Sequence, residues 1–340
     1  MIFRRFLLAG LLPLLLAAPP AQADVSLNPF DWFGGGGDAR QAATPEEEKK
    51  AQSLLEKGRQ ALEEDDRGAA NRAFKKIAKA YPTTEAAPRA LFLRGKILRE
   101  KGKHEKSFET FQRIVDNHPA FPDFNQVIGA QFEVATELQE GARGTILWVI
   151  PGFKQPRKAM EFFRQIVGNA PYSDYAPLAL MNVALIAKKE DKPQEAIDAL
   201  DRLINNYPQS VLASDAYETL ADTYAGLVQG PAYDQGSTRQ AISYYEDFLS
   251  LFPDSEYVGE VEAGLRKMKN IHSRSRLYLG DFYYYHRNNA TAALIFYNEA
   301  IDVAPETRTA DEARARIEDI EAGVEPTTAF EFLEDLLLID

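Results

Sequence analysis

Residues able to carry out covalent or acid–base chemistry are few in this sequence. Among 340 residues there are four histidines, His104, His118, His272 and His286, and no cysteine. That composition excludes disulfides, thiolate zinc sites and cysteine nucleophiles. His104-Glu105 lacks the second histidine of a helical zinc motif, and neither a Gly-x-Ser-x-Gly elbow nor a Walker-type phosphate loop occurs. The run Gly34 to Gly37 has no Lys-Ser/Thr after it and reads as linker. Carboxylates are plentiful, 51 Asp and Glu against 39 Lys and Arg. They are spread along helical stretches, where such residues form solvated faces with i,i+4 contacts. A net charge of −12 argues against a general nucleic-acid binder, because phosphate neutralisation needs a surplus of cations. No catalytic residue, metal ligand or cofactor site is nominated, and an enzyme is not expected.

The elements that present these side chains follow from the prolines. Pro82, Pro119, Pro171, Pro208, Pro253 and Pro305 are separated by 37, 52, 37, 45 and 52 residues, a base unit of 37 with additions. Twelve residues before each stand Ala70, Ser107, Ala159, Ala196, Ala241 and Ala293. Eight before stand Phe74, Phe111, Phe163, Leu200, Tyr245 and Tyr297, and five before stand Ile77, Ile114, Ile166, Leu203, Phe248 and Ala300. Offsets of four and three place the three positions on one helical face. Each proline then ends its helix. The spacing resembles tetratricopeptide repeats, and Gly58, Gly95 and Ala184 stand where that family favours a small residue in the first helix. The fold class is therefore all-α: a tetratricopeptide-like superhelix of about six helix-turn-helix units, with Arg308 to Glu321 as a capping helix.

Two surfaces stand out on that scaffold. Phe92, Lys96 and Arg99, at i, i+4 and i+7, form with Arg59 a basic-aromatic strip expected to face the concave side. Such a groove suits a peptide's C-terminal carboxylate and aromatic side chains, the plain alternative being a solvated face. Between Ala263 and Gly280 there are five basic residues and no acidic one. Arg266, Lys269, Arg274 and Arg276 belong to this local inversion of the field and are candidates for docking an acidic partner, the plain alternative being an answer to the chain's own acidic tail. No strong helix breaker falls between Val261 and His286, so one long helix is expected there. Within it Tyr278, Phe282 and Tyr285 should share a core face, with Tyr283 and Tyr284 pointing elsewhere.

Residues 1–23 read as a cleaved signal peptide: Arg4 and Arg5, an apolar stretch from Phe6 to Ala18, then Ala21-Gln22-Ala23. Cleavage before Asp24 leaves 37 basic against 51 acidic residues, a charge of −14. The expected organisation continues with a flexible segment at 24–45, an N-terminal repeat half at 46–176, a C-terminal half at 177–322, and an acidic-apolar tail at 323–340. Export to an extracytoplasmic compartment follows.

The stretch Asp234-Gln235-Gly236-Ser237-Thr238-Arg239-Gln240-Ala241-Ile242, then Phe248-Leu249 and Phe252-Pro253-Asp254-Ser255-Glu256-Tyr257, is similar to the BamD (ComL) family of outer-membrane assembly lipoproteins. The basic linking helix and Tyr278 to Arg287 continue the resemblance, which covers roughly residues 46–321. It implies a periplasmic, non-catalytic scaffold, peripheral to the outer membrane. Client outer-membrane proteins would be recognised by the N-terminal units, and the C-terminal units would dock on periplasmic domains of the insertase. The family's anchor is a lipidated Cys after the signal, whereas this chain has Ala23-Asp24 and no Cys. Phe30-Asp31-Trp32-Phe33 and Ile146 to Phe153 also fall outside the family pattern. An alternative within binding proteins is a cell-envelope tetratricopeptide scaffold of the Tol-Pal type.

Overall fold

The computed structural model describes residues 42–141, 154–233 and 235–324. The signal peptide, the Phe30 to Phe33 motif, the Ile146 to Phe153 run and residues 325–340 lie outside the described residues. Among the described residues thirteen α-helices follow one another: α1 Pro45–Glu63, α2 Arg67–Ala80, α3 Ala86–Glu100, α4 His104–Asn117, α5 Phe124–Glu140, α6 Pro156–Asn169, α7 Tyr175–Lys189, α8 Pro193–Asn206, α9 Ala213–Gly226, α10 Gly236–Leu251, α11 Val258–Asp281, α12 Ala290–Val303 and α13 Arg308–Glu321. They form six helix pairs and a capping helix, the architecture expected from the proline spacing, and α13 occupies Arg308 to Glu321 as anticipated. None of them is long and apolar enough to cross a membrane.

Local signals set the boundaries. Thr44 opens α1 with a reciprocal cap: Glu47 N–H donates to Thr44 Oγ1 at 3.3 Å, and Thr44 N–H donates to Glu47 Oε2 at 2.8 Å. Each second helix stops at the residue before a repeat proline, namely Tyr81, His118, Ala170, Tyr207, Phe252 and Ala304. The proline has no N–H with which to extend the ladder.

The repeat signature is the core. All six small residues, Ala70, Ser107, Ala159, Ala196, Ala241 and Ala293, are 0% exposed, and the large and aliphatic positions beside them are buried as well. In four of the six units the large residue meets a glycine of a neighbouring helix. A Cβ on Gly58 would stand 2.3 Å from the Phe74 ring, and one on Gly95 would stand 2.3 Å from Phe111. The later aromatics follow suit, with Tyr245 against Gly264 and Tyr297 against Gly280. Units 2 and 3 are further joined by half-buried amide contacts, Gln131 Nε2 donating to Gln112 Oε1 at 2.9 Å and Asn169 Nδ2 to the same oxygen at 2.7 Å.

Successive first helices pack on each other along α1, α3, α5 and α7, and again along α9, α11 and α13. Successive second helices touch less, which puts the first helices on the inner, shorter side of the superhelix. Between α7 and α9, units 4 and 5 join chiefly through α8, which packs on both. On that outer side Tyr244 of α10 donates to Asp201 Oδ1 of α8 at 2.9 Å, and its ring stacks on Tyr224.

The long helix of unit 6 departs from expectation at its end. A π-helical turn, Phe282–His286, follows α11. A π turn holds roughly one residue more than an α turn and so rotates the later side chains by about 100°. Buried Ser273, Leu277, Gly280 and Tyr284 nevertheless follow one another at the helical spacing of four, three and four, while Tyr278 and Phe282, expected in the core, lie off that face and are 42% and 40% exposed.

The glycine contacts give a direct test. Gly95→Ala should lower the unfolding free energy by about 1–3 kcal/mol, because Phe111 is fully enclosed and cannot yield. The gain in helix propensity, about 1 kcal/mol, works against this loss. Urea denaturation decides the sign, and a stabilised variant would mean that the ring contact is not limiting.

Candidate functional site

The N-terminal strip lies on inner helices. Phe92 of α3 packs on Phe111 with centroids 5.8 Å apart, and Lys96 Nζ sits 5.5 Å from the Phe92 centroid. Arg59 on α1 is drawn to Glu56, one turn earlier, at 2.9 Å. Arg99 is engaged across the unit boundary: its guanidinium pairs with Glu133, and its Nε lies 3.2 Å from Glu137 Oε1. His104 Nδ1 stands 3.1 Å from the other oxygen of Glu137. Phe92, half-buried, and the exposed Lys96 thus form one cation–aromatic unit, whereas Arg99 already serves an ion network. Glu133 and Glu137 were not anticipated. Their trace in the sequence is an i,i+4 carboxylate pair one repeat after Arg99.

The basic residues of α11 separate into two groups. Lys269 Nζ meets Glu246 Oε1 of α10 at 2.6 Å, and Arg276, 20% exposed, meets Glu299 Oε2 of α12 at 3.4 Å. Arg266 and Arg274 point outward. Among the described residues Arg266 pairs with Glu262, its i,i+4 neighbour, at 3.5 Å. Arg274 rests on the Tyr278 ring at 5.9 Å, its Nε donating to the hydroxyl at 3.3 Å.

A third feature was missed from the sequence. Glu218 and Asp222 sit one turn apart on α9, and the Tyr245 hydroxyl reaches Asp222 Oδ1 at 2.6 Å. Burial first, and then the charge of Asp222, push the Glu218 carboxyl up to about 7. Thr219 Oγ1 donates to Glu218 Oε2 at 3.1 Å. Among the described residues no group of three or more His, Cys, Asp or Glu could hold a metal ion. Open grooves of about 500 to 660 Å³ run along the proline turns, for example between Tyr172, Leu178, Tyr207 and Val211, away from both charged strips.

Comparison with known proteins adds a family frame. Residues 154–327 match the model of the YfiO family, described as outer membrane lipoprotein, and residues 55–122 match a tetratricopeptide-repeat model. The outer membrane protein assembly factor BamD of Rickettsia prowazekii is 27% identical over 165 residues, 48% of this chain and 65% of the relative. BamD of Caulobacter vibrioides is 24% identical over 138 residues, 41% of this chain and 45% of the relative. The chain thus spans less than two thirds of the length of these relatives. Among solved structures, a tetratricopeptide repeat protein from Parabacteroides merdae aligns with 79% of this chain and 99% of its own, at 13% identity and a TM-score of 0.33.

The Glu218 environment sets a pH dependence. Its folded-state value is raised, so the folded chain holds that proton more tightly than the unfolded chain does. The contribution is present at acid pH and is lost as pH rises from the ordinary 4.5 through about 7. Glu218→Gln should therefore stabilise the fold by about 1–3 kcal/mol at pH 8, reduced by solvent screening, and by less than about 1 kcal/mol at pH 5. Denaturation at both pH values measures the difference, and equal effects at the two would contradict the assignment.

Proposed function

Because the chain belongs to the YfiO family of outer membrane lipoproteins, we propose that it is a non-catalytic scaffold in the assembly of outer-membrane β-barrel proteins. It works from the periplasm at the outer membrane, reading client segments with units 1–3 and docking on an insertase partner with units 4–6. The observation that carries this reading is the family match over residues 154–327, which includes the basic helix α11. That helix and the Gln235 to Arg239 segment at the start of α10 favour it over a Tol-Pal type scaffold.

The side-chain geometry supports a division of labour. Phe92 and Lys96 offer an aromatic face and a free ammonium to a peptide ending in an aromatic carboxylate. Arg99 can join only by leaving Glu133 and Glu137, so it contributes less than its charge suggests. On α11, Arg266 and Arg274 meet the partner, while Lys269 and Arg276 hold α11 to its neighbours.

Lys96→Glu should weaken a synthetic peptide ending in phenylalanine by roughly tenfold, about 1.4 kcal/mol, with the helical signal intact. Amidating the peptide's C-terminus should mimic the loss. Fluorescence titration reads both, and a scrambled peptide binding equally well would refute the groove. Charge reversal at Arg266 and Arg274 should cut recovery of the insertase from envelope extracts without lowering stability, whereas reversal at Arg276 should destabilise the fold by about 1 kcal/mol or more. Unchanged recovery after the first reversal would count against the docking face.

A further inference from the structure

Along α11 and the π turn, Tyr278, Leu279 and Phe282 stand out from the surface, Leu279 being 37% exposed. Tyr278 and Phe282, four apart, continue the line of Arg274. Arg274 covers one end of this stripe, and Arg287 covers the other with its guanidinium 5.3 Å from the Phe282 centroid. Neither guanidinium forms an ion pair with a carboxylate among the described residues. Two cations beside exposed rings, in a chain of net charge −12, make a patch whose complement is acidic and apolar.

The chain carries that complement close by. Val324, where the described residues end, accepts a hydrogen bond at its carbonyl from the Tyr284 hydroxyl inside the π turn. The sixteen residues that follow include Glu325, Glu331, Glu334, Asp335 and Asp340, no Lys or Arg, and the apolar Phe330, Phe332, Leu333 and Leu336 to Ile339. Sixteen residues can reach about 50 Å, and the stripe from Arg274 to Arg287 is roughly 20 Å long. We propose that segment 325–340 docks on the chain's own stripe of Arg274, Tyr278, Phe282 and Arg287, its carboxylates on the guanidiniums and its apolar side chains on the rings. Tethering supplies an effective concentration in the mM range, so a contact too weak for a free peptide is populated here. Like charge repels the segment from most of the remaining surface. An acidic partner docking at Arg274 then has to displace the segment; that competition rests on the docking reading above, whereas the self-contact does not.

The absence of cysteine makes the test clean, since two introduced thiols are the only ones present. In the full chain, His286→Cys beside the stripe is paired with Leu338→Cys, and a reference pairs the same Leu338→Cys with Asn298→Cys on α12. A short bis-maleimide at low protein concentration should link the first pair within one molecule about tenfold faster than the reference. Adding Arg274→Glu and Arg287→Glu should abolish that advantage while circular dichroism stays unchanged, and 1 M salt should reduce it. Equal rates for the two pairs overturn the proposal, as does an advantage that survives both charge reversals. A linked dimer in place of the internal product also overturns it and assigns the stripe to a second copy. Loss of insertase recovery is read separately, so failure of the docking reading leaves this result standing.

Discussion

A ring pressed against a helix that lacks a Cβ governs how closely paired helices approach in this molecule. Phe74 on Gly58 and Phe111 on Gly95 fix the separation within the first two units and Tyr297 on Gly280 within the last, while Tyr245 on Gly264 makes the same contact between units 5 and 6. The small residue four positions before each ring, and the aliphatic or aromatic one three after it, are buried because that approach leaves no room for solvent. A single pair has only one such face covered, so each unit depends on the next. The charged strips inherit their placement from this packing, since the residues off the buried face of each first helix are what the inner surface presents.

Charge along that inner surface is divided between cohesion and display. Arg99, Lys269 and Arg276 point across unit or helix boundaries at carboxylates, and they gain from partial burial what a surface pair lacks. Lys96, Arg266 and Arg274 remain outward, two of them resting on aromatic rings. A guanidinium or ammonium over a ring keeps its charge available while its orientation is restrained. The two classes look alike in sequence.

Helix ends and core positions were legible because each rests on local chemistry. Proline stops a helix wherever it falls, and a period of four and three needs no knowledge of the partner. The six signature triplets and α13 follow from such rules. Tyr278 and Phe282 were misplaced because bulk is a poor guide to the buried face here: that face runs through Ser273 and Gly280, small residues that let α12 approach, and leaves the two rings outside. The partners of Arg99 and Arg276 were not legible for a related reason: an ion pair between helices depends on their relative rotation, which only the packed structure supplies. Glu218 was indistinguishable from any surface glutamate until the burial of its carboxyl beside Asp222 was visible.

Units 4 and 5 are joined by packed side chains as well as by the chain. One buried cluster runs from Phe108 and Phe111 of unit 2 through Ala184 and Leu200 of unit 4 to Ala216 and Leu220 of unit 5. Tyr244 of α10 ties the outer helices together at the same place through Asp201 of α8. Close-packed interiors have low compressibility and pass strain on. The middle of the superhelix therefore works as a beam, and a load taken up by unit 2 is carried into unit 5 by side-chain contact.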